Sequence, residues 1–302
     1  MKFWVGVTDK NWFEFLRAQT PDEVNFWQPS AGRRAATLEA GAPFLFKLHA
    51  PNNFIVGGGF FVRYSALPAR LAWDAFGVKN GVHDYEMLRQ RVEQYRGRPI
   101  IGDPEIGCNV LNRPFFWPEH LWIPVPATWK ANIVQGKGYS TSDADGLALW
   151  ESIEGRIHWA ELQEEPDRSQ FGDAYLTHAR LGQGAFRVLI TDAYRRRCAI
   201  TGERTLPVLE AAHIQPYSRS GPHRVSNGLL LRSDLHTLFD RGYITIDEDL
   251  RVLVSPRIRE EFENGREYYR HDGQLLSNTP QAAIDRPSKA FLHWHNEKVF
   301  IS

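Results

Sequence analysis

The stretch over residues 208–240 constrains the fold most, because its hydrophobic pattern changes from strand-like to helix-like within one short segment. An apolar run over 208–214 ends in a histidine and predicts a strand. A long loop over 215–225 follows. After Ser226, Asn227 and Gly228 form a dipeptide typical of turns. The sequence over 229–240 then predicts a second short strand and a short helix with Ser233 as its N-cap, and a strand hairpin follows. Before this segment a helix is expected over 186–197, with Phe186, Ile190 and Tyr194 at its apolar positions.

Each predicted piece of this segment carries one polar side chain. His213 lies at the end of the first strand, Asn227 at the turn and His236 on the helix. Hydrolysis of a phosphodiester needs a base, because water is a poor nucleophile at neutral pH, and a neutral imidazole can take its proton. It also needs a cation to stabilise charge on the phosphate. A lone histidine is usually structural and a lone asparagine usually a turn residue, so the prediction rests on all three residues occurring together in this order. His223, His293 and His295 are expected to be surface or packing residues.

The segment resembles the HNH endonucleases, whose fold is the ββα-metal finger. The matching blocks are Leu209–Ile214, Asn227–Arg232 and Asp234–Asp240, in that order. The resemblance implies that His213 is the general base and that His236 binds the metal. It also implies that Asn227 orients the base or braces the loop.

Two positions depart from the pattern of this family. Many members carry a metal ligand just before the base, and this chain has Ala212 there. The second ligand is then expected to be Asp240, one turn after His236, or Glu210, which strand alternation points away from His213. Many members also hold a structural zinc through paired Cys-x-x-Cys motifs, and here only Cys198 lies in the region, so no structural zinc is expected. The expected cofactor is Mg²⁺ or Mn²⁺, with Ni²⁺ or Co²⁺ as alternatives.

The formal net charge of the chain is zero, whereas many nucleic-acid-binding proteins are basic overall. Charge can still be segregated, and Arg195, Arg196 and Arg197 form a basic run beside the predicted centre. We predict that these three and Arg232 contact DNA, while a solvated surface is the alternative interpretation of such a run. Double-stranded DNA is the expected partner.

The region before residue 140 is rich in strands and aromatic residues, and its helices and strands follow no βαβ rhythm. Strands are expected over 2–7, 44–48, 54–62, 99–108 and 119–123, and helices over 11–18, 71–76 and 84–95, with Asp9 as the N-cap of the first helix. Three glycines at 57–59 suggest a bulge or a close approach of backbones. A small mixed barrel is the favoured architecture.

This region resembles, more weakly, the PUA-like superfamily and in particular EVE domains. The similarity lies in Phe3–Thr8, the segment around Trp12 and the strand Phe54–Gly59. Proteins of this superfamily hold modified bases in an aromatic pocket, and the residues expected to form it here are Trp12, Asn25, Trp27 and Asp9. The alternative is that the tryptophans are core residues.

The predicted fold class is α+β. The domains are an EVE/PUA-like, modified-base-binding domain over 1–140, a linker with helix over 141–185 and an HNH nuclease domain over 186–302. No apolar run is long enough to cross a bilayer. The only two cysteines, Cys108 and Cys198, lie far apart, which fits a reducing cytoplasm.

Fusions of EVE and HNH domains resemble modification-dependent (type IV) restriction enzymes. The leading hypothesis is therefore an endonuclease for DNA that carries 5-methylcytosine or 5-hydroxymethylcytosine. One alternative is an HNH nuclease that reads plain sequence. Another is a binding module for modified nucleic acid without catalysis, which the missing ligand at Ala212 motivates. A homodimer is expected if both strands are cut, because one HNH site cuts one strand.

Overall fold

The computed structural model describes residues 1–32, 38–162, 181–219 and 221–302. Contacts between Cα atoms divide the chain into two compact units, Met1–Ala185 and Phe186–Ser302. Both units contain helices and strands, and the predicted α+β class is confirmed. Within the described ranges, no helix is both long enough and apolar enough to cross a membrane.

The first unit contains seven strands and four longer helices among its described residues. They are β1 Lys2–Thr8, α1 Lys10–Gln19, β2 Glu23–Gln28, β3 Pro43–Leu48, β4 Phe54–Pro68, α2 Ala69–Phe76, α3 Tyr85–Arg96, β5 Glu105–Phe116, β6 Ile123–Pro124, β7 Gly136–Ser140 and α4 Ala144–Leu162. The sheet has the order β2-β5-β4-β3-β1-β7, with β6 paired to β4. Only the β1–β3 pair is parallel, and the remaining pairs are antiparallel.

Side chains alternate across this sheet, so both of its faces are apolar. Phe44 and Phe46 of β3 lie in an aromatic cluster with Trp12 and Phe13 of α1. Leu45, between them in sequence, lies in a second cluster on the other side. The period of two along β3 thus separates the core into two layers.

The glycines at 57–59 allow the long strand β4 to bend against β5, as the sequence predicts. The register between β4 and β5 shifts between Gly58 and Phe60, which marks an irregularity of the bulge type. A Cβ atom on Gly57 would lie 2.3 Å from the carbonyl oxygen of Phe115. A larger residue at this position would therefore push the two strands apart.

Two expectations for the first unit are wrong in detail, and both concern strands. The strand predicted over 99–108 begins only at Glu105 and continues to Phe116. The strand predicted over 119–123 is a 3₁₀ turn at Glu119–Leu121 followed by the two-residue β6. The helix of the predicted linker, α4, buries Leu149, Ile153 and Ile157 in a core cluster of the first unit. Their spacing of four residues gives α4 one apolar stripe, so that part of the linker packs as an element of this unit.

The second unit contains a short antiparallel pair, a hairpin and several short helices. Its elements are α5 Gln183–Ala193, which begins just before the unit boundary, β8 Leu209–His213, β9 Gly228–Arg232, α6 Ser233–Asp240, β10 Ile244–Ile246, β11 Val252–Val254, α7 Arg257–Phe262, α8 Arg266–Tyr269 and α9 Lys289–Lys298. One apolar cluster joins these elements, and it includes Ile190, Leu230, Leu235 and Phe239. The predicted order of strand, loop, strand, helix and hairpin is confirmed.

Two helix boundaries differ from the sequence-based expectation. The helix predicted over 186–197 ends at Ala193, because Arg195 and Arg196 have positive φ angles of 52° and 59°. The side-chain amide of Asn278 donates to the carbonyls of Tyr194 and Arg197, which stabilises this turn. Helix α6 was expected to have Ser233 as its N-cap, but Ser233 is its first residue and Arg232 occupies the cap position without a side-chain hydrogen bond.

Candidate active site

Strands β8 and β9 and helix α6 form a ββα arrangement in the second unit. The two strands pair antiparallel, and His213 lies opposite Gly228 in the register. Helix α6 begins directly after β9, so its residue His236 lies over the strand pair. The loop over 214–227 connects the strands and carries the remaining polar groups of the site.

The imidazole of His213 lies flat against the ring of Phe186 from α5. The ring centroids are 3.8 Å apart and the planes are inclined by 11°. Gly228 makes this approach possible, because a Cβ atom there would lie 2.8 Å from Cζ of Phe186 and 2.3 Å from Cδ1 of Ile190. The sequence predicted an Asn-Gly turn here, but Gly228 is extended, with a φ of -141°, and is the first residue of β9, where it allows Phe186 to pack close to His213.

His213 is also hydrogen-bonded to a second histidine. Its Nε2 lies 3.0 Å from Nδ1 of His223. Burial, with smaller contributions from the charges of His223 and His236, lowers the pKa of His213 to about 4. A histidine with this pKa is neutral at pH 7, which is the form that can accept a proton. The effect of His236 also shows that the two imidazoles lie within electrostatic range.

Asn227 is fully buried and holds the loop between the strands. Its side-chain oxygen accepts from the backbone N–H of Gln215, and its amide nitrogen donates to the carbonyls of Gln215 and Pro222. All three distances are 2.9 Å. Among the described contacts of Asn227, none is to the His213 ring, so the geometry favours the bracing role over direct orientation of the base.

His236 lies between two carboxylates. Its Nδ1 is 2.7 Å from Oε2 of Glu210, and its Nε2 is 3.3 Å from Oδ2 of Asp240. Burial raises the pKa of Asp240 and the negative charge of Glu210 adds to the rise, whereas His236 opposes it. Strand alternation points Glu210 away from His213, and the structure brings its carboxylate to His236 because α6 covers that side of the strand.

His236 and Asp240 fit two neighbouring ligands of one divalent cation. Adjacent ligands of an octahedral cation with bonds of about 2.0–2.1 Å are separated by about 3 Å, which is close to the 3.3 Å seen here. A carboxylate on the other nitrogen of a ligating histidine is the usual arrangement around metals, and Glu210 occupies that position. In the described ranges, however, no group of three or more His, Cys, Asp or Glu side chains is arranged to hold a metal ion.

Two of the four arginines predicted to contact DNA, Arg195 and Arg232, have side-chain partners within the protein. Arg195 donates to Asn278 over 2.8 Å, and Arg232 makes a bidentate pair with Asp234 at 2.6 and 2.8 Å. Arg195 and Arg197 are exposed in the turn after α5, and Arg196 is half-buried there. Because Asp234 neutralises the guanidinium of Arg232, its role in DNA binding is the least supported of the four.

Sequence reasoning missed His223 and Phe186 as parts of this site. His223 lies in a loop without periodicity and was expected to be a surface or packing residue, and Phe186 was interpreted only as an apolar position of α5. Another histidine, His295, was expected to be a surface or a packing residue, and it packs in the interior with its ring 3.8 Å from that of Phe239. One sequence signal could have identified His223 as part of the site: it is a second histidine only ten residues after His213.

The first unit contains a cavity of about 240 Å³ beside its aromatic core. It is lined by the end of β1, by α1 and β2, and by Tyr95 of α3. Three of the four residues predicted for the base pocket, Asp9, Trp12 and Trp27, line it. The fourth, Asn25, is fully buried behind the wall, where its amide donates to Oδ1 of Asn80 over 2.9 Å.

Hydrogen bonds hold the walls of this cavity in place. The indole N–H groups of Trp12 and Trp27 both donate to the backbone carbonyl of Asn80, at 3.1 and 2.9 Å. The carboxylate of Asp9 caps α1 and accepts from Arg91 and Tyr95, each over 3.0 Å. The tryptophan rings are therefore fixed rather than free to close the space.

Gln28 is a lining residue of the cavity with a buried side-chain amide. This side chain is 4% exposed and lines the cavity. Its Nε2 atom is buried without a hydrogen-bond partner in the part of the chain that the structure describes. A buried amide donor without a partner costs about 1–3 kcal/mol, so this nitrogen favours a ligand that offers an acceptor.

Residues 198–247 match the model of a family described as HNH endonuclease. The second unit therefore carries an HNH endonuclease domain, and the prediction for this part of the chain is confirmed. No curated protein matches the chain.

Two solved structures are similar to the chain at low identity. ASCH from Zymomonas mobilis is 13% identical with a TM-score of 0.32, over 49% of this chain and 94% of its own. The modification-dependent TagI restriction endonuclease is 12% identical with a TM-score of 0.28, over 92% of this chain and 75% of its own. At these TM-scores neither likeness carries an argument about activity.

Proposed function

We propose that this chain, whose second unit carries an HNH endonuclease domain, is a modification-dependent DNA endonuclease. The observation that carries the nuclease activity is the ββα segment, in which a neutral His213 lies within electrostatic range of His236 and its carboxylates. The fixed aromatic cavity of the first unit supports the dependence on a modified base. Each part has its own test.

In the proposed reaction, Nδ1 of His213 takes a proton from the attacking water. The hydroxide oxygen forms a bond to phosphorus while the bond from phosphorus to the leaving sugar oxygen breaks, and the leaving oxygen takes a proton from solvent water. His236 and Asp240 would hold a divalent cation, with Glu210 fixing the His236 ring from its other nitrogen. When bound, such a cation stabilises the negative charge that develops on the phosphate and the leaving oxygen. Asn227 keeps the loop beside the base in shape.

The cavity of the first unit has the size and lining for a planar base extruded from the duplex. A flipped base stacks on aromatic faces while polar groups read its edge. Trp12, Trp27 and Tyr95 supply aromatic surface, and Gln28 supplies an N–H donor for a carbonyl or ring nitrogen of the base. A 5-methylcytosine or 5-hydroxymethylcytosine base would present such acceptors. The metal is proposed to be Mg²⁺ or Mn²⁺, and a homodimer is proposed for cuts in both strands.

The test uses one plasmid in three forms, with cytosine, 5-methylcytosine or 5-hydroxymethylcytosine, incubated with the full chain and Mg²⁺ or Mn²⁺. We expect cutting of a modified plasmid and no cutting after addition of EDTA. Equal cutting of all three forms would favour a nuclease of plain sequence specificity. Binding without cutting in every metal would favour the non-catalytic module.

The matched variants are His213→Ala in the second unit and Trp27→Ala in the first. His213→Ala is expected to bind modified DNA without cutting it. Trp27→Ala is expected either to lose DNA binding or to cut modified and unmodified DNA alike. Cutting at the wild-type rate by His213→Ala would remove this histidine from the mechanism.

A further inference from the structure

We infer that His223 is a positioning residue for the reaction, which holds His213 in the tautomer that leaves Nδ1 free to accept a proton. This inference rests on the proposed nuclease function. The observation that carries it is the 3.0 Å hydrogen bond between Nε2 of His213 and Nδ1 of His223. His223 lies outside the blocks that match between this chain and the HNH pattern.

The two nitrogens of a neutral imidazole cannot both be protonated, and the partner of one nitrogen decides the state of the other. Nδ1 of His223 can accept a hydrogen bond when its own proton is on Nε2. His213 then carries its proton on Nε2 and a lone pair on Nδ1. Among the described residues, Nδ1 of His213 has no hydrogen-bond partner, so its lone pair is available.

Packing restricts the rings to this arrangement. Phe186 lies parallel to His213 with centroids 3.8 Å apart and meets the edge of His223 at 5.7 Å and 68°. The two imidazoles meet each other at 77°. One phenyl ring thus contacts both histidines, which prevents His213 from turning about its Cβ–Cγ bond. After proton transfer His213 is a cation, and the Nε2–H group still donates to His223.

The groups that face His213 come from three elements. Phe186 of α5 is apolar, His223 comes from the loop, and His236 comes from α6. No carboxylate takes the place of His223 in the described contacts of His213. The tautomer of the base is therefore decided by another imidazole rather than by an acidic group.

Two substitutions at His223 separate the hydrogen bond from the packing. His223→Asn places an amide oxygen near the position of Nδ1 and keeps the acceptor, but it removes the ring. His223→Phe keeps the ring against Phe186 and removes the acceptor. Positioning predicts that the Asn variant cuts within a few-fold of wild type and that the Phe variant loses about 10–100-fold in kcat with unchanged KM. If His223 acts only by packing, the Phe variant should cut near the wild-type rate and the Asn variant should lose activity.

The second measurement is the ¹⁵N spectrum of the imidazole nitrogens in the full chain, with the His213 signals assigned by their loss in His213→Gln. We expect one tautomer, protonated at Nε2, in wild type and in the Asn variant, and a mixture in the Phe variant. Wild-type cutting together with an unchanged tautomer in the Phe variant would overturn the inference. Absence of cutting by wild type would overturn the proposed function instead, while the tautomer spectra would still test the role of His223.

Discussion

Phe186 and His213 are stacked face to face, with centroids 3.8 Å apart, although they lie on different elements of the second unit. The phenyl ring removes water from one side of the imidazole. Burial is the main reason why the pKa of His213 falls to about 4, since a buried imidazole is harder to charge. An apolar residue thus decides the protonation state of the proposed base.

The first prediction concerns the pH dependence of cleavage. His213 is neutral above its pKa of about 4, so the single-turnover rate should stay level as the pH falls below the usual histidine pKa of about 6.5. Phe186→Ala should raise this pKa and move the acidic limb to higher pH. Phe262→Ala, at a residue 58% exposed in the same unit, is the control and should leave the limb in place. If the acidic limb of the pH–rate profile stays in place in Phe186→Ala, the stacking of Phe186 does not set the pKa of His213.

The second prediction concerns the two carboxylates around His236. Asp240→Asn should weaken the metal dependence of cleavage most, because it removes a proposed ligand oxygen. Glu210→Gln should cost about 10–100-fold in metal affinity, because an orienting group is changed. Titration of Mn²⁺ against cleavage rate measures both. Asp234 lies on the same helix and pairs with Arg232, so Asp234→Asn is the control and should leave the metal titration unchanged. An equal shift of the Mn²⁺ titration in all three variants would contradict the proposed roles of Asp240 as a ligand and Glu210 as an orienting group.

The third prediction separates folding from binding at Gln28. Gln28→Met removes a buried donor that has no partner in the described ranges, and such a replacement is neutral or stabilising for the fold. The same change should weaken binding of DNA with a modified base. Urea denaturation and fluorescence anisotropy on modified duplexes measure the two effects. Gln90→Met, on the exposed side of α3, is the control. Loss of stability without loss of binding would assign Gln28 to the core.

The fourth prediction concerns Asn227. Asn227→Ala leaves the buried backbone groups of Gln215 and Pro222 without their partners. The expected loss of unfolding free energy is about 1–3 kcal/mol for each group that stays dry, and cleavage should fall with it. Asn264→Ala, at an exposed position, should change neither. A variant that keeps its stability and loses only kcat would support direct orientation of the base instead of bracing.

The fifth prediction concerns stability at low pH. His295 is 2% exposed between the hydroxyl of Thr245 and the carbonyl of Phe239, and burial lowers its pKa to about 4. The unfolded chain binds the proton more readily, so stability is fully present above about pH 6.5 and falls as the pH drops toward 4. The loss from this group is roughly 3 kcal/mol at most.

The slope of unfolding free energy against pH, from urea titrations, measures this effect. His295→Gln cannot titrate and should flatten the slope. His293→Gln, at a side chain 64% exposed, should leave the slope as in wild type. A slope that persists in His295→Gln would assign the effect to other groups.

Local chemistry in the sequence was enough to predict the ββα segment and the cap of α1 by Asp9. The period of the apolar residues gave the strands around His213 and Gly228 and the helix that carries His236. It was not enough for the end of α5, where Asn278, 85 residues after Ala193, stabilises a turn at positive φ. It also did not predict that α4 packs in the first unit.

The sequence by itself determined which residues form most of the elements of this protein and which residues are candidates for its site, because period, caps and turns depend on neighbours in the chain. Only the tertiary structure decided the partners of those residues: Phe186 and His223 for His213, Glu210 for His236, and the buried Gln28 beside Trp27. These contacts join loops and elements whose approach depends on packing, and packing is a property of the whole unit rather than of a local segment.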